Sequence, residues 1–269
     1  MTAIHGSPQF VRQAGAAEPR ARLFCFPFAG GSAPVFAGWG ERLKPDIEVW
    51  AAHPRGRGMR FRETPDLNTG AMVGDFLFGL RGLLDLPFVF YGHSLGGLLA
   101  FELTRQLQAQ GLPLPKGLFV GATVPPHLGL IHEEIHHLPD QQFVSAIQDR
   151  YAGIPEAVLR EPELMEMFLP ALKADFAAYE RYGFSPGVQV ACPITAFAGA
   201  NDPGARPELI GEWAHHTTGK FALHTVAGDH FFLAESAGLV LGEIRKSLGD
   251  GLEAGRPAAV GGREDWKRL

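Results

Sequence analysis

The chain has 269 residues, 46% hydrophobic and 20% charged, with 24 Lys and Arg against 29 Asp and Glu for a formal charge of −5. That balance excludes a globally disordered or collagen-like chain, and it disfavours a nucleic-acid binder, whose phosphate contacts need a basic face. No stretch reaches about 18 consecutive apolar residues, so no membrane span is expected; residues 1–10 lack a basic region followed by an apolar run, so no secretory signal is expected either; and two cysteines, Cys25 and Cys192, make no disulfide framework and suit a reducing cytoplasm.

Taken in chain order, residues 22–28, 47–53, 88–91, 117–122, 194–198 and 221–226 are apolar runs that read as buried strands. Helical patterns alternate with them. Between residues 66 and 86, Met72, Val73, Phe76, Leu77, Leu80, Leu83 and Leu84 recur at helical spacing. Residues 94–110 place Leu95, Leu98, Leu99, Leu103 and Leu107 on one face, with Gly111 as a stop. Two further helices are predicted over 207–217 and 233–248. Runs apolar on both faces, alternating with helices, predict an α/β fold: a mostly parallel central sheet with helices on both faces. One block breaks the alternation. From about 125 to 186 there is no convincing strand, and helices are predicted over 140–151, 155–160 and 162–182, an insertion between two core strands within a single domain of residues 1–249. Residues 250–269, rich in Gly, Ala and charge, are expected to form a loose tail.

Tyr91-Gly92-His93-Ser94-Leu95-Gly96-Gly97 contains G-x-S-x-G between a predicted strand and a predicted helix, the strand–turn–helix context that a nucleophile elbow requires. The glycines relieve crowding around a strained serine, and the helix N-terminus offers N–H groups to a developing oxyanion. The plainer alternative is a serine that caps a tight turn. Gly183-Phe184-Ser185-Pro186-Gly187 repeats the pattern but fails physically, because the residue after the serine must donate its N–H and Pro186 has none. His132-Glu133-Glu134-Ile135-His136 matches the zinc-protease pattern H-E-x-x-H, but Pro125, Pro126 and Pro139 leave no stable helix to align the two imidazoles. No metal is expected there.

A serine nucleophile needs a base, and in α/β-hydrolases the order along the chain is serine, acid, histidine. His230 lies in the loop after the last predicted strand and is the expected base. The acid belongs after a strand between Ser94 and His230. Strand 117–122 is followed by Thr123, Val124 and Pro125 with no carboxylate, whereas strand 194–198 is followed by Asp202, the expected acid. Asp229, adjacent to His230, is poorly placed to reach Nδ1. For the oxyanion, Leu95 N–H is one expected donor and Ala29 N–H, in Pro27-Phe28-Ala29-Gly30-Gly31-Ser32, the other, with Phe28 and Gly30 as near neighbours.

Together these pieces resemble the type II (editing) thioesterases of nonribosomal peptide and polyketide synthesis, within the α/β-hydrolase superfamily. The resemblance is carried by Phe26-Pro27-Phe28-Ala29-Gly30-Gly31-Ser32, Gly92-His93-Ser94-Leu95-Gly96-Gly97 with Ala100-Phe101-Glu102-Leu103, Leu138-Pro139-Asp140, Leu169-Pro170 with Ala174-Asp175 and Tyr179, Asp202-Pro203, and Gly228-Asp229-His230-Phe231-Phe232. It spans about residues 22–248. It implies a serine hydrolase that clears acyl groups held as phosphopantetheine thioesters on acyl or peptidyl carrier protein domains. Ser94, Asp202 and His230 match the family's triad positions, and the block from 125 to 186 matches its lid. It further implies a soluble cytoplasmic enzyme without cofactor, and the chain is expected to be a monomer with no metal, nucleic-acid or membrane partner. A chain with no fused carrier domain favours hydrolysis over cyclisation.

Two departures stand out. Arg55 interrupts the family's Pro-Gly-Arg loop in His53-Pro54-Arg55-Gly56-Arg57, and Lys173 stands where arginine is usual. The stretch Arg55, Arg57, Arg60 and Arg62 reads by default as a solvated surface loop, and more sharply as a dock for an acidic carrier or its phosphate arm. Two rival functions remain open: a carboxylesterase or lipase acting on oxygen esters with the same triad, and a non-catalytic hydrolase-fold binding protein.

Overall fold

A segment that is apolar on both faces is stable only where helices cover both sides of its sheet, and the six apolar runs form such a sheet. The computed structural model describes residues 7–13, 15–151 and 160–254. Its strands are β1 (Phe10–Arg12), β2 (Ala21–Phe26), β3 (Ile47–Ala52), β4 (Phe88–His93), β5 (Leu118–Gly121), β6 (Ile194–Gly199) and β7 (Phe221–Val226). They lie in the order β1-β3-β2-β4-β5-β6-β7, with β1 antiparallel to β3 and every other pair parallel. The helices are α1 (Trp39–Leu43), α2 (Thr69–Gly79), α3 (Leu95–Ala109), α4 (Asp140–Tyr151), α5 (Pro162–Glu180), α6 (Pro207–Gly211) and α7 (Leu233–Ala254).

Every residue of β2 to β5 is buried, and side chains alternate between the two faces as the pleat dictates. Phe24 and Phe26 join one apolar cluster with Phe76 of α2 and Leu99 and Leu103 of α3. Leu23 and Cys25 join the opposite cluster with Trp39 of α1 and Val240 and Ile244 of α7. Edge-to-face rings knit the first cluster: the Phe26 centroid lies 5.6 Å from Phe76 and 5.4 Å from Phe90. A third, separate cluster of Ile135, Phe143, Ile147, Leu169 and Leu172 holds α4 and α5 together between β5 and β6. Among the described residues no helix is long and apolar enough to cross a membrane.

Several boundaries differ from the sequence expectation. β2 stops at Phe26 because Pro27 has no N–H for the ladder. β4 runs on through Gly92 and His93, paired with Val120 and Gly121. The helix expected over 66–86 is only Thr69–Gly79: Asn68 caps it by accepting from Ala71 N at 2.8 Å, and Gly82 turns the chain at φ +82° beyond it. The helix expected over 207–217 changes at Gly211 to a 3-10 segment, Glu212–His216. β1 and α1, three and five residues long, were not expected. α7 continues through Ala254, so the first five residues of the expected tail are helical, and residues 255–269 lie outside the described residues. The helix expected over 155–160 also lies outside them apart from Arg160.

Candidate active site

In a parallel sheet the loops at the strand C-termini gather at one edge. Ser94 follows β4, Asp202 follows β6, His230 follows β7 and Ala29 follows β2, so four loops far apart in sequence meet there. Ser94 adopts φ 54° and ψ −120°, a left-handed conformation that costs a non-glycine residue about 1–3 kcal/mol. Its neighbours enforce it. Ser94 N donates to Gly121 O at 2.8 Å, and Ser94 O accepts from Gly97 N at 2.9 Å and from the Thr123 hydroxyl at 3.0 Å. The turn is tight enough that a Cβ on Gly96 would stand 2.1 Å from the Phe26 carbonyl oxygen.

The three residues picked as serine, base and acid meet in one hydrogen-bonded line. His230 Nε2 lies 3.0 Å from Ser94 Oγ, and His230 Nδ1 lies 2.8 Å from Asp202 Oδ2. These partners assign the proton to Nδ1, leaving Nε2 to accept from the serine hydroxyl. Asp202 Oδ1 accepts from Gly204 N at 2.9 Å and Ala205 N at 3.0 Å. Burial works against the Asp202 charge, but the His230 hydrogen bond and charge and the two N–H donors outweigh it and hold the carboxyl below its usual range. Asp229 is exposed and accepts from Phe231 N at 2.7 Å.

His93 had no predicted role, yet it braces His230. Its Nε2 donates to His230 O at 2.6 Å while its Nδ1 accepts from the Tyr91 hydroxyl at 3.0 Å. Burial, and then the His230 charge, push its pKa down to about 3, so the ring is neutral and its tautomer is set by those two partners. The only available clue was the i, i+2 spacing, which puts Tyr91 and His93 on one face of β4. Tyr151 covers His230 from the side of α4, with ring centroids 4.7 Å apart.

A pocket opens beside Ser94, walled by Leu95, Val124, Ile147, Leu172, Phe176 and Tyr179. Ala29 lines the same pocket, and among the described residues neither its N–H nor that of Leu95 has an acceptor. Of the near neighbours considered for the oxyanion, Gly30 is unavailable, because its N–H donates to Asp175 Oδ2 at 2.7 Å.

The Arg55–Arg62 stretch departs from the expected solvated loop. Arg60, 3% exposed along its side chain, pairs with Asp75 and Glu63 at 2.6 Å each. Arg57 forks onto Asp175 at 2.6 and 2.7 Å, and Arg55 reaches Asp75 at 3.0 Å. Glu63 is a local partner, three residues from Arg60, but Asp75 and Asp175 lie 15 and 118 residues from Arg60 and Arg57, out of view of any local pattern. Arg62 is the exposed one of the four, which leaves little of the phosphate dock.

Residues 132–136 form no helix. His132 lines the pocket, while His136 Nδ1 is bound to buried Glu180 at 2.6 Å. Glu134, His136 and His137 bring ligand atoms within 4.8 Å of one another, a group that includes neither His132 nor His230. Ser185 sits in an exposed loop. His216 packs among Phe101, Trp213 and Phe184, with Nε2 2.7 Å from His127 Nδ1. Both cysteines are free and buried, and burial pushes the Cys192 thiol up to about 12.

The thioesterase domain family model matches residues 21–248. Gramicidin S biosynthesis protein GrsT of Aneurinibacillus migulanus is 37% identical over 215 residues, 80% of this chain and 84% of GrsT. Among solved structures, RedJ, a thioesterase from the prodiginine biosynthetic pathway in Streptomyces coelicolor, superposes with a TM-score of 0.81 at 35% identity, covering 87% of this chain and 93% of its own. BorB, a type II thioesterase from the borrelidin biosynthetic cluster, gives a TM-score of 0.81 at 32% identity, covering 91% of this chain and 98% of its own. On the family match over most of its length and on these relatives, the chain belongs to the thioesterase domain family and is an enzyme that hydrolyses thioesters.

Proposed function

We propose that this enzyme removes acyl groups from phosphopantetheine thioesters on acyl or peptidyl carrier protein domains, as an editing hydrolase of a polyketide or nonribosomal peptide synthase. In this reading Ser94 attacks the thioester carbonyl while His230 Nε2 takes its proton. Asp202 holds the imidazole and stabilises its cation, and the Ala29 and Leu95 N–H groups receive the oxyanion. The pantetheine thiol leaves with the proton from His230, and His230 then activates water against the acyl-enzyme. The observation that carries the reading is the Ser94–His230–Asp202 line, at 3.0 and 2.8 Å, opening on an apolar pocket. Relatives from gramicidin S, prodiginine and borrelidin biosynthesis support the carrier-bound substrate.

The same reading assigns residues 1–249 to one hydrolase domain, with the helical block 125–186 as a lid over the acyl site, in a cytoplasmic monomer that needs no cofactor. Fold alone does not separate thioesters from oxygen esters, since the bond-breaking groups are shared. The test compares an acyl-pantetheine thioester on a carrier domain with the matched nitrophenyl ester. A kcat/KM at least tenfold higher on the carrier thioester, abolished by Ser94→Ala, is the expected result. Preference for the nitrophenyl ester would establish the esterase instead. Failure of a fluorophosphonate to label Ser94 in folded protein would favour the non-catalytic binding protein.

A further inference from the structure

The loop that presents Ala29 is gripped from outside by a single ion pair. Asp175, on α5, is 2% exposed. Its Oδ2 accepts from Gly30 N at 2.7 Å and from Arg57 Nη1 at 2.6 Å, and its Oδ1 accepts from Arg57 Nη2 at 2.7 Å. Arg57 Nη1 also donates to the Gly31 carbonyl at 3.0 Å. The pair thus takes the N–H of Gly30 and the C=O of Gly31 together. Gly31 N in turn donates to the Phe28 carbonyl at 2.8 Å. The Phe28 carbonyl and the Ala29 N–H share one planar peptide unit and point in opposite directions, so fixing the first aims the second. α5 also closes on the loop sterically: at Gly30, with φ +77°, a Cβ would stand 2.8 Å from both Leu172 Cδ1 and Phe168 Cζ.

We infer that Asp175 and Arg57 are positioning residues that aim the Ala29 N–H, and that they make the oxyanion site depend on the seating of α5. The inference rests on the reading of Ala29 as an oxyanion donor. Arg57 comes from the loop after β3 and Asp175 from the helical block between β5 and β6, so the donor is aligned only while those two parts meet. The block therefore has a second role besides walling the pocket: an acyl group delivered with α5 displaced meets Ser94 without its full complement of oxyanion donors.

The test uses the full-length enzyme with three variants: Asp175→Asn, Arg57→Lys, and the double variant Arg57→Met/Asp175→Leu. The double variant removes both charges at similar volume, so no buried charge is left unpaired. Three quantities are read: kcat and KM on a short acyl-pantetheine thioester, and the affinity of an alkyl boronic acid whose tetrahedral adduct on Ser94 mimics the transition state. Losing a whole oxyanion donor costs about 100- to 1000-fold in kcat, and a misaimed donor costs less. Each variant is expected to lose about 10- to 100-fold in kcat, with KM within about twofold and boronate affinity falling in step with kcat. A stability role alone would not produce that proportionality. A folded double variant with kcat within twofold of wild type overturns the inference, as does a kcat loss without boronate weakening. Wild-type enzyme that binds no boronate at Ser94 would instead sink the underlying reading of the oxyanion site, and the inference with it.

Discussion

Replacing Asp202 by asparagine changes one atom and should disable the base. In the native site Oδ1 accepts from two backbone N–H groups, Gly204 at 2.9 Å and Ala205 at 3.0 Å, and Oδ2 faces His230 Nδ1 at 2.8 Å. An asparagine must keep its oxygen where the two N–H donors are, because the reverse orientation would set an NH2 against both. Its NH2 then points at Nδ1. The imidazole responds by accepting there and carrying its proton on Nε2, 3.0 Å from Ser94 Oγ, where it can no longer take the serine proton. The charge that stabilised the imidazolium is lost as well. A wrong tautomer of this kind costs about 10⁴ in kcat, equivalent to about 5.4 kcal/mol of transition-state stabilisation. The fold should survive, since both backbone donors keep their acceptor, and the melting temperature should fall by only a few degrees, for about 1–2 kcal/mol. The assay is thiol release from an acyl-pantetheine thioester, with Asp229→Asn as control because Asp229 is exposed and bonded to Phe231 N. Retention of more than about a tenth of kcat by Asp202→Asn, or an equal loss in Asp229→Asn, would refute the assignment of the acid.

Two further outcomes follow from the same geometry. Gly96→Ala places a Cβ 2.1 Å from the Phe26 carbonyl oxygen, a backbone atom in a buried strand; a loss of at least about 3 kcal/mol in urea unfolding and no turnover are expected, and a wild-type midpoint would contradict this packing of the elbow. Stability should also fall with acid: burial holds His216 at a pKa of about 4 and His93 at about 3, below their unfolded values near 6.5, so the unfolded chain binds more protons in between, and the stability present above pH 6.5 declines as pH drops toward 4. For His216 this amounts to about 1–2 kcal/mol between pH 7 and pH 5, so His216→Asn should flatten the pH dependence of the urea midpoint, and an unchanged slope would remove His216 as its source.

What could be read from the sequence was what is local. The strands announced themselves as apolar runs, and Ser94, Asp202 and His230 each follow one, so chain order and strand position were enough to propose the three side chains that the fold brings into one hydrogen-bonded line. β1 was hidden because its three residues pair only through β3, with Phe10 opposite Ala52 and Arg12 opposite Trp50. The Arg55–Arg62 stretch looked like a surface loop because charge density is visible in sequence, whereas Asp75 and Asp175, which neutralise it, are distant. Asp175 itself was visible only as one member of a matching motif. Its bond to Gly30 spans 145 positions, and nothing local foretells it. His93 has no sequence signature, because a histidine inside a nucleophile motif carries no pattern of its own until the fold sets Tyr91 and the His230 carbonyl on either side of it.

The third apolar cluster bears on how the pocket can be reshaped. Ile147 and Leu172 belong to it and also wall the pocket, while the sheet's two clusters contain neither. Substitutions at Ile147 or Leu172 that enlarge or narrow the pocket therefore draw on packing distinct from that of the sheet, unlike substitutions at Leu95 and Val124, which wall the same pocket from the sheet's first cluster. At Ile147 and Leu172 the shape of the pocket is open to re-engineering with little penalty to the sheet. The freedom ends at Asp175, where a change on the same helix reaches back into the loop that carries Ala29.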